Sequence, residues 1–576
     1  MSDGTLRIIP LGGLGEIGKN MMAYEYGDDI LIVDTGLMFP TSDMPGVDYI
    51  IPDFQYLHDK AHRVRGIVYT HGHEDHTGAV RHVLERIPVP MYATPLTKGL
   101  LQVKLRGDRN LKNLPIHEVR PGDRVRIGPF QVEFIHVTHS IPDSVALAIT
   151  TPVGLVVHTG DYKFDHTPID GKPTDFAALA ALSRRSGGVL ALLADSTNAD
   201  KPGWTPSERV ITPALEAAMR EAPGRVLVAT FASLISRMQQ VADVATRLGR
   251  KMAFVGTSMV ENAKMARKLG YLRIDDEVLV PLEQALKLPP EQVVLMVTGS
   301  QGEPSSILGR LAGGSGRGRR PPFTVQAGDT IIISAHPIPG NTENVYRTIN
   351  SLIRKGAHVL YDPIARVHVS GHASQEEMKL MLNLVRPKFF IPIHGELRHL
   401  DQHRRMAQQL GIPGERIAVV ENGQVVEFHN GQMRLAERVP GGWVFVEGAA
   451  VGESSIREIK ERQALARGGL LLVTVPVDAA TGKLAGDVDV ITRGFVYPEG
   501  AEEFAAVLRK RIKKALKGAV GDLEKALEQA VRNFVYSELR RRPQIFVTVK
   551  DVTRSGPAAG ANGGTPRRGK KGGGER

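Results

Sequence analysis

The sequence predicts a multi-domain α/β protein, and three observations predict it. A chain of 576 residues exceeds what one hydrophobic core organises. Short apolar runs recur that stop abruptly at Asp or His, as in Ile67-Val68-Tyr69-Thr70 before His71 and Leu155-Val156-Val157 before His158. These read as buried strands that deliver polar side chains at their ends. From about Thr205 the texture changes: runs such as Val226-Leu227-Val228-Ala229 and Val293 to Val297 alternate with helical stretches such as Ser236 to Leu248. That alternation is the pattern of a parallel sheet with crossover helices, inserted into the first domain.

Composition narrows the chemistry. A formal net charge of +11 makes a polyanionic partner plausible. The absence of cysteine excludes disulfides and thiolate ligands and fits a reducing cytoplasm. Histidine and carboxylate donors remain, and these suit zinc or manganese better than a metal that prefers soft ligands. Met1 to Pro10 does not read as a signal peptide, and the longest apolar runs, such as Leu470-Leu471-Leu472-Val473, fall far short of a membrane span. The expectation is a soluble cytoplasmic protein with no membrane partner.

At the N-terminus, Leu6 to Leu11 reads as a strand, followed by Gly13-Leu14-Gly15-Glu16-Ile17-Gly18. This matches the dinucleotide fingerprint G-x-G-x-x-G, whose mechanism needs a helix to follow it. Only a short segment precedes a second strand, Ile30 to Val33, so a β-hairpin is the better reading. That strand ends in Asp34-Thr35-Gly36, which reads locally as a turn.

The chain is organised around His71-Gly72-His73-Glu74-Asp75-His76, directly after the strand Ile67 to Thr70. His71 and His73 are two apart, so an extended backbone aims both at one metal. Asp75 and His76 follow after the chain begins to turn, and can reach a second ion. Two neighbouring ions would clamp the attacking and leaving oxygens of a hydrolysed ester. A solvated polar loop is the alternative, and the density of ligand types argues against it. Thr77 to Arg86 reads as a helix starting beside the site.

Val132 to Val137 alternates like a strand and ends in Thr138-His139-Ser140. His136 reads as packing within the sheet, and a lone histidine in the position of His139 is ordinarily structural. Leu155 to Val157 leads to Gly160-Asp161, a carboxylate able to bridge two metals, with a glycine that permits close backbone approach. A third strand, Leu192-Leu193-Ala194, delivers Asp195. Strands ending in Asp34, Asp161 and Asp195 make a repeated device.

Within the insertion, Gly309 to Pro322 carries Arg310, Arg317, Arg319 and Arg320 among glycines, a basic loop that is ordinarily solvated but can touch phosphate. Ile331 to His336 is a further strand end. Val367-His368-Val369-Ser370-Gly371-His372-Ala373-Ser374 combines hydroxyls with glycine-centred amides, the ingredients of an anion-binding nest. Phe389 to Ile393 then delivers His394.

The cluster at 71–76 resembles the H-x-H-x-D-H signature of the metallo-β-lactamase superfamily, and residues 1–555 as a whole resemble the β-CASP nucleases, within them the bacterial ribonuclease J family. The resemblance implies an αββα metallo-β-lactamase sandwich interrupted by an α/β β-CASP domain and followed by a small C-terminal α/β domain. The expected boundaries are 1–204 and 366–440 for the two lactamase parts, 205–365 for the β-CASP domain, 441–460 for a glycine-rich linker, 461–555 for the C-terminal domain, and 556–576 for a disordered basic tail.

It also implies the site. His71, His73, His139 and Asp161 would hold one ion; Asp75, His76, the shared Asp161 and His394 the other. Asp34 would sit near the metals and orient a ligand histidine. Asp195, His372 and His394 match the three further β-CASP positions, and His rather than Val at the third favours RNA over DNA. Asp195, His372 and the ligand Asp75 are the catalytic candidates, with His372 helping the leaving oxygen and Asp195 orienting its neighbours. Phe231-Ala232-Ser233 and the loop His368-Val369-Ser370-Gly371-His372 match segments that hold substrate, the latter receiving a 5′ monophosphate. Phe231 offers a stacking face, although by itself it reads as a core residue.

The implied activity is a metal-dependent 5′-to-3′ exoribonuclease and endoribonuclease, acting in ribosomal RNA maturation and messenger RNA decay. The implied cofactor is two zinc ions per subunit, with manganese or magnesium as alternatives in activity. The implied partners are RNA, a second copy in a homodimer or homotetramer, and an RNA-degradation complex. A β-CASP nuclease acting on DNA, a small-ester metallohydrolase and a non-catalytic RNA-binding scaffold are the competing readings. Beyond residue 460, Leu470 to Val477, Val488 to Val496 and Ile545 to Val549 read as strands, with helices at Ala501 to Lys517 and Asp522 to Arg541. Arg509, Lys510, Arg511, Lys513 and Lys514 read as a solvated face that can also hold RNA or a second subunit.

Overall fold

A computed structural model describes residues 4–41, 43–313, 320–338, 340–478, 481–495, 498–517 and 522–552. The chain divides into two compact units, Met1–Glu453 and Ser454–Arg576.

In the first unit an eight-stranded sheet runs in the order Gln432–Arg438, Gln424–His429, Leu6–Gly12, Met21–Tyr26, Asp29–Val33, Val64–Val68, Met91–Ala93, Ile116–Glu118. A six-stranded sheet runs Pro387–Ile393, Val189–Asp195, Gly154–His158, Val145–Thr151, Phe130–His136, Arg124–Ile127. Alternating side chains divide between the faces of each sheet. Ile8, Tyr24, Leu31 and Val68 meet Phe134, Leu147, Val156 and Leu193 in the core between the sheets. Their neighbours Ile9, Ile30, Ile32 and Ile67 pack outward under the helices Val80–Arg86 and Pro95–Leu105. Val157, Leu192 and Phe390 pack under Phe176–Leu182, Gln375–Val385 and Leu397–Gln409. The layers are therefore αββα, as the family resemblance implies.

Strand direction sets up the functional rim. Asp29–Val33 and Val64–Val68 run parallel, with Val33 opposite Val68. Gly154–His158, Val189–Asp195 and Pro387–Ile393 are also mutually parallel, with His158 opposite Leu193 and Asp195 opposite Ile393. Parallel neighbours bring their carboxyl ends to one edge, so every strand-end ligand emerges there.

Between Asp195 and Pro387 the chain builds a third sheet, all parallel, in the order Lys251–Val255, Val293–Val297, Val226–Ala229, Thr330–Ile333, His358–Tyr361. Its faces are covered by helices Ile211–Glu221, Ile235–Arg247 and Thr257–Lys268 on one side, and by Ile307–Ala312 and Thr342–Arg354 on the other. Lys251–Val255 and His358–Tyr361 carry a charged or polar residue at the start of a brief apolar run and were not legible as strands.

Three sequence expectations are corrected. The N-terminal hairpin is Leu6–Gly12 with Met21–Tyr26, a strand not expected; no helix follows the glycine fingerprint. The helix expected over Thr77 to Arg86 is two, Glu74–Thr77 and Val80–Arg86. The segment expected as a linker at 441–460 is mostly structured. Trp443–Glu447 pairs antiparallel with Tyr49–Pro52, and the helix Ile456–Gly468 starts with a Ser455–Glu458 capping box.

The second unit has a three-stranded sheet, Asp489–Arg493, Leu470–Val477, Gln544–Asp551, with the helices Pro498–Leu516 and Leu523–Leu539 packed through Leu508, Ile512, Leu527 and Val531. Arg317 and Arg319 of the glycine-rich loop and all of 556–576 lie outside the described residues. Among the described residues no helix is long and apolar enough to cross a membrane.

Candidate metal centre

The rim gathers histidine and aspartate side chains that could hold a metal ion from five strand ends. His71 Nε2 and His139 Nε2 lie 3.1 and 3.0 Å from His73 Nδ1, and each lies 3.7 Å from Asp161 Oδ2. Bonds of about 2.0–2.1 Å to a tetrahedral ion give ligand–ligand edges of roughly 3.3 Å, close to these separations. Beside this group, His76 Nε2 is 3.2 Å from Asp161 Oδ2 and 3.7 Å from Asp75 Oδ2. His394 reaches Asp161 Oδ1 through Nδ1 at 3.0 Å and Asp75 Oδ2 through Nε2 at 3.5 Å. A third grouping shares Asp161 and His394 with Asp195 and His372, whose Nδ1 is 2.8 Å from Asp195 Oδ2.

The donor set fits divalent cations. Asp161 is buried, and neither of its oxygens has a hydrogen bond of sound geometry despite the nearby imidazoles. A buried carboxylate left that way is strongly disfavoured unless a cation faces it. Protonation follows the same logic. Burial pushes His71 and His139 well below the usual imidazole range and His73 down to about 4, leaving neutral ligands. Burial acts the same way on His76, but Asp161, Asp75 and Asp34 outweigh it and hold this histidine well above that range. His394 is likewise raised against burial, by Asp161 first.

Neighbouring groups fix the ligands. Asp34 accepts from Thr70 N and Thr70 Oγ1, both at 2.8 Å, and from His76 Nδ1 at 2.7 Å, which leaves Nε2 for a metal. This is the orienting role rather than a plain turn. His139 Nδ1 donates to the Gly371 carbonyl at 2.7 Å, which likewise leaves Nε2 free. Gly371 has to be glycine here, because a Cβ would stand 2.6 Å from His139 Cε1. Gly160, at φ +57°, lets the chain pass Thr70 on its way to Asp161. His136 stands apart, half-buried, with Nε2 on the Lys172 carbonyl at 2.9 Å.

The expected substrate segments are placed as follows. Ser370, Gly371 and His372 border the candidate ligand groups, Gly371 through His139 and His372 through Asp195. His368 is beside them, its Nδ1 buried without a partner, and burial followed by the Arg237 charge pushes it well below the imidazole range. The Val369 side chain packs into the core shared with the inserted domain, so only its backbone can meet a ligand. Phe231 and Ala232 are half-buried and Ser233 is buried in the turn between Val226–Ala229 and Ile235–Arg247. Phe231 is only partly buried, more accessible than its apolar context suggests.

Sequence reasoning missed several supporting residues. Asn20 Nδ2 lies 3.1 Å from His76 Nε2 and 3.1 Å from the Asp75 carbonyl. The glycine fingerprint serves the far side of the site: Gly395 N donates to Gly13 O, and Glu16 accepts from Lys19, Asn422 and Trp443. Asn198 bonds Ser370 Oγ at 2.8 Å, and Tyr24 pairs with His158 at 2.8 Å. Only Asn198 carried a signal, lying three residues after a strand-end Asp.

Known proteins match this architecture along most of the chain. Family models described as "Metallo-beta-lactamase superfamily", "Ribonuclease J, beta-CASP domain", "Zn-dependent metallo-hydrolase RNA specificity domain" and "Ribonuclease J C-terminal domain" match residues 14–199, 223–352, 356–417 and 457–552. The chain is 42% identical over 566 residues to the Ribonuclease J of Synechocystis sp., covering 95% of this chain and 87% of that one. It is 43% identical over 551 residues to that of Thermus thermophilus, covering 93% and 92%. A solved protein of unknown function from Enterococcus faecalis shares the fold, at 16% identity and TM-score 0.52, over 74% of this chain and all of its own.

Proposed function

The chain belongs to the ribonuclease J family and is a metal-dependent ribonuclease, and from that premise we propose that it removes nucleotides from RNA in the 5′-to-3′ direction, favours 5′-monophosphorylated ends, and also cuts internally. The observation that carries this reading is the loop Val367 to Ala373. Ser370 Oγ accepts from Asn198 Nδ2 at 2.8 Å and from His372 N at 3.1 Å. A hydroxyl has two lone pairs and one proton, so its proton remains for an outside acceptor such as a terminal phosphate oxygen. Gly371 of the same loop holds His139, which ties the phosphate position to the ligands that would face the next phosphodiester. A chain end seated here presents its first internal linkage to the metal centre; an internal segment reaches the same centre without using the pocket.

We assign His71, His73, His139 and Asp161 to one zinc ion and Asp75, His76, Asp161 and His394 to another, with manganese or magnesium as alternatives in activity. Bound divalent ions supply Lewis acidity and lower the pKa of water. The remaining steps belong to the protein. Asp195 holds His372 Nδ1, directing Nε2 toward the reacting group, where it delivers a proton to the leaving oxygen. Phe231, only partly buried, offers a base a stacking face. His394 at the third β-CASP position supports RNA over DNA. Trimming of ribosomal RNA precursors and decay of messenger RNA in the cytoplasm follow from an enzyme that both cuts within RNA and consumes monophosphorylated ends. We place it in a homodimer or homotetramer, and in an RNA-degradation complex.

The test compares one RNA sequence carrying a 5′ monophosphate, carrying a 5′ hydroxyl, and closed into a circle. The reading requires mononucleotide products, fastest from the monophosphate, and slower internal cuts in the circle. Equal rates from both linear ends refute it.

A further inference from the structure

We propose that Glu208 is a positioning residue for 5′-end recognition: it joins Lys163 of the lactamase half to Arg237 of the inserted domain, and the two cations pin the backbone of the Val367–Ser370 loop. The inference rests on the 5′-end reading above and adds how the loop is held. One oxygen of Glu208 takes Lys163 Nζ at 3.3 Å and the other takes Arg237 Nη2 at 2.8 Å. Lys163 Nζ then donates to the Ser370 carbonyl at 3.2 Å, and Arg237 Nη1 to the Val367 carbonyl at 2.8 Å. All three side chains are buried, Lys163 and Arg237 almost fully.

Burying three charges is an expensive way to join two domains, since apolar packing achieves the same adhesion without desolvating ions. Directionality is what an ion network adds. The planar guanidinium of Arg237 fixes Val367 O and Glu208 in one rigid fork, while Nε is held by Gln240 at 2.8 Å. Glu208 is itself anchored, its backbone N donating to Asp165 Oδ2 at 2.9 Å. The carbonyls of residues 367 and 370 are thereby held from opposite domains by one carboxylate. The hydroxyl left to meet a phosphate is on Ser370, and its backbone is at one end of this clamp.

None of the three touches the proposed metal ligands' donor atoms, so the clamp and the chemistry are separable. In the full-length protein, Glu208→Gln removes the charge that both cations share. The ratio of kcat/KM on 5′-monophosphorylated RNA to that on circular RNA falls about tenfold, which corresponds to roughly 1.4 kcal/mol of lost positioning. The loss sits mainly in KM, because the pocket binds the end equally before and during reaction. Turnover of circular RNA and metal content stay within about twofold of wild type by the same reasoning. Arg237→Lys keeps the charge facing Glu208 but loses the second arm on Val367 O, so it lowers the ratio in the same direction by about threefold; if Glu208→Gln does not fold, this variant decides. Equal losses on every RNA, or an unchanged ratio in a folded variant, overturn the clamp as a positioning device. A wild-type protein that does not distinguish a 5′ monophosphate from a 5′ hydroxyl overturns the 5′-end reading and this inference with it. A wild-type preference that both variants retain overturns the clamp alone.

Discussion

Replacing Ser370 with alanine perturbs one hydroxyl with three assignable bonds, so its effect can be worked out. The proton proposed to meet the terminal phosphate is lost, and a hydrogen bond to a charged group is worth about 1.5–3 kcal/mol. At roughly 1.4 kcal/mol per decade, kcat/KM on 5′-monophosphorylated RNA falls by about 10- to 150-fold. The acceptor is lost too. Asn198 Nδ2 keeps its bond to the His372 carbonyl at 3.1 Å, whereas His372 N loses Ser370 Oγ. One part-buried donor left unpaired costs about 1–2 kcal/mol of stability, which thermal unfolding reads independently. Kinetics on monophosphorylated, hydroxyl-ended and circular RNA, taken well below the melting transition, then separate the two effects. The monophosphate advantage shrinks toward the hydroxyl level, and the loss on circular RNA is several-fold smaller. Equal losses on all three would mean that the loop acts through the Gly371–His139 bond on the metal centre and senses no 5′ end.

Three further outcomes are expected. His136→Ala leaves metal content and turnover intact, because the His136 ring bonds to the Lys172 carbonyl and belongs to none of the candidate ligand groups; loss of metal on elemental analysis would contradict this. Divalent-metal affinity weakens as pH falls, because His76 and His394 are held protonated above the ordinary imidazole range and must release those protons for a metal. Calorimetric titration in buffers of differing ionisation enthalpy should find proton release, fading at high pH; a pH-independent affinity without proton release refutes it. Deleting residues 556–576, which include Arg567, Arg568, Lys570 and Lys571, flattens the salt dependence of RNA affinity by releasing fewer counterions. An unchanged slope in filter binding would show that the tail does not touch RNA.

What the sequence made legible was what is local. His71 to His76 crowd into six positions after a strand, and strand-end carboxylates such as Asp161 stand out against apolar runs, so these candidates were readable from local pattern, whereas His139 became one only through the family resemblance. Asp195 and His394 became neighbours only through the parallel pairing of two strands separated by the whole inserted domain; family resemblance supplied that, not local pattern. The segment after Gly441 was misread because the partner of Trp443–Glu447 is Tyr49–Pro52, nearly the whole length of the unit away. Glycine and polar residues beside such a pairing look like a linker when the partner is out of view. Lys163, Glu208 and Arg237 were invisible for a different reason. Charged residues scattered in sequence read as surface, and only the fold shows that they are buried against one another.

The central claim is that one buried carboxylate, Asp161, serves both cation positions on this rim. Elemental analysis of wild type and Asp161→Asn, paired with cleavage of the same RNA, tests it most directly. The amide keeps the shape but loses the charge that the surrounding imidazoles and cations face. The account predicts divalent metal in the wild type, a folded variant depleted of it, and cleavage reduced by orders of magnitude. A variant that retains its full metal content and cuts RNA at close to the wild-type rate would contradict it.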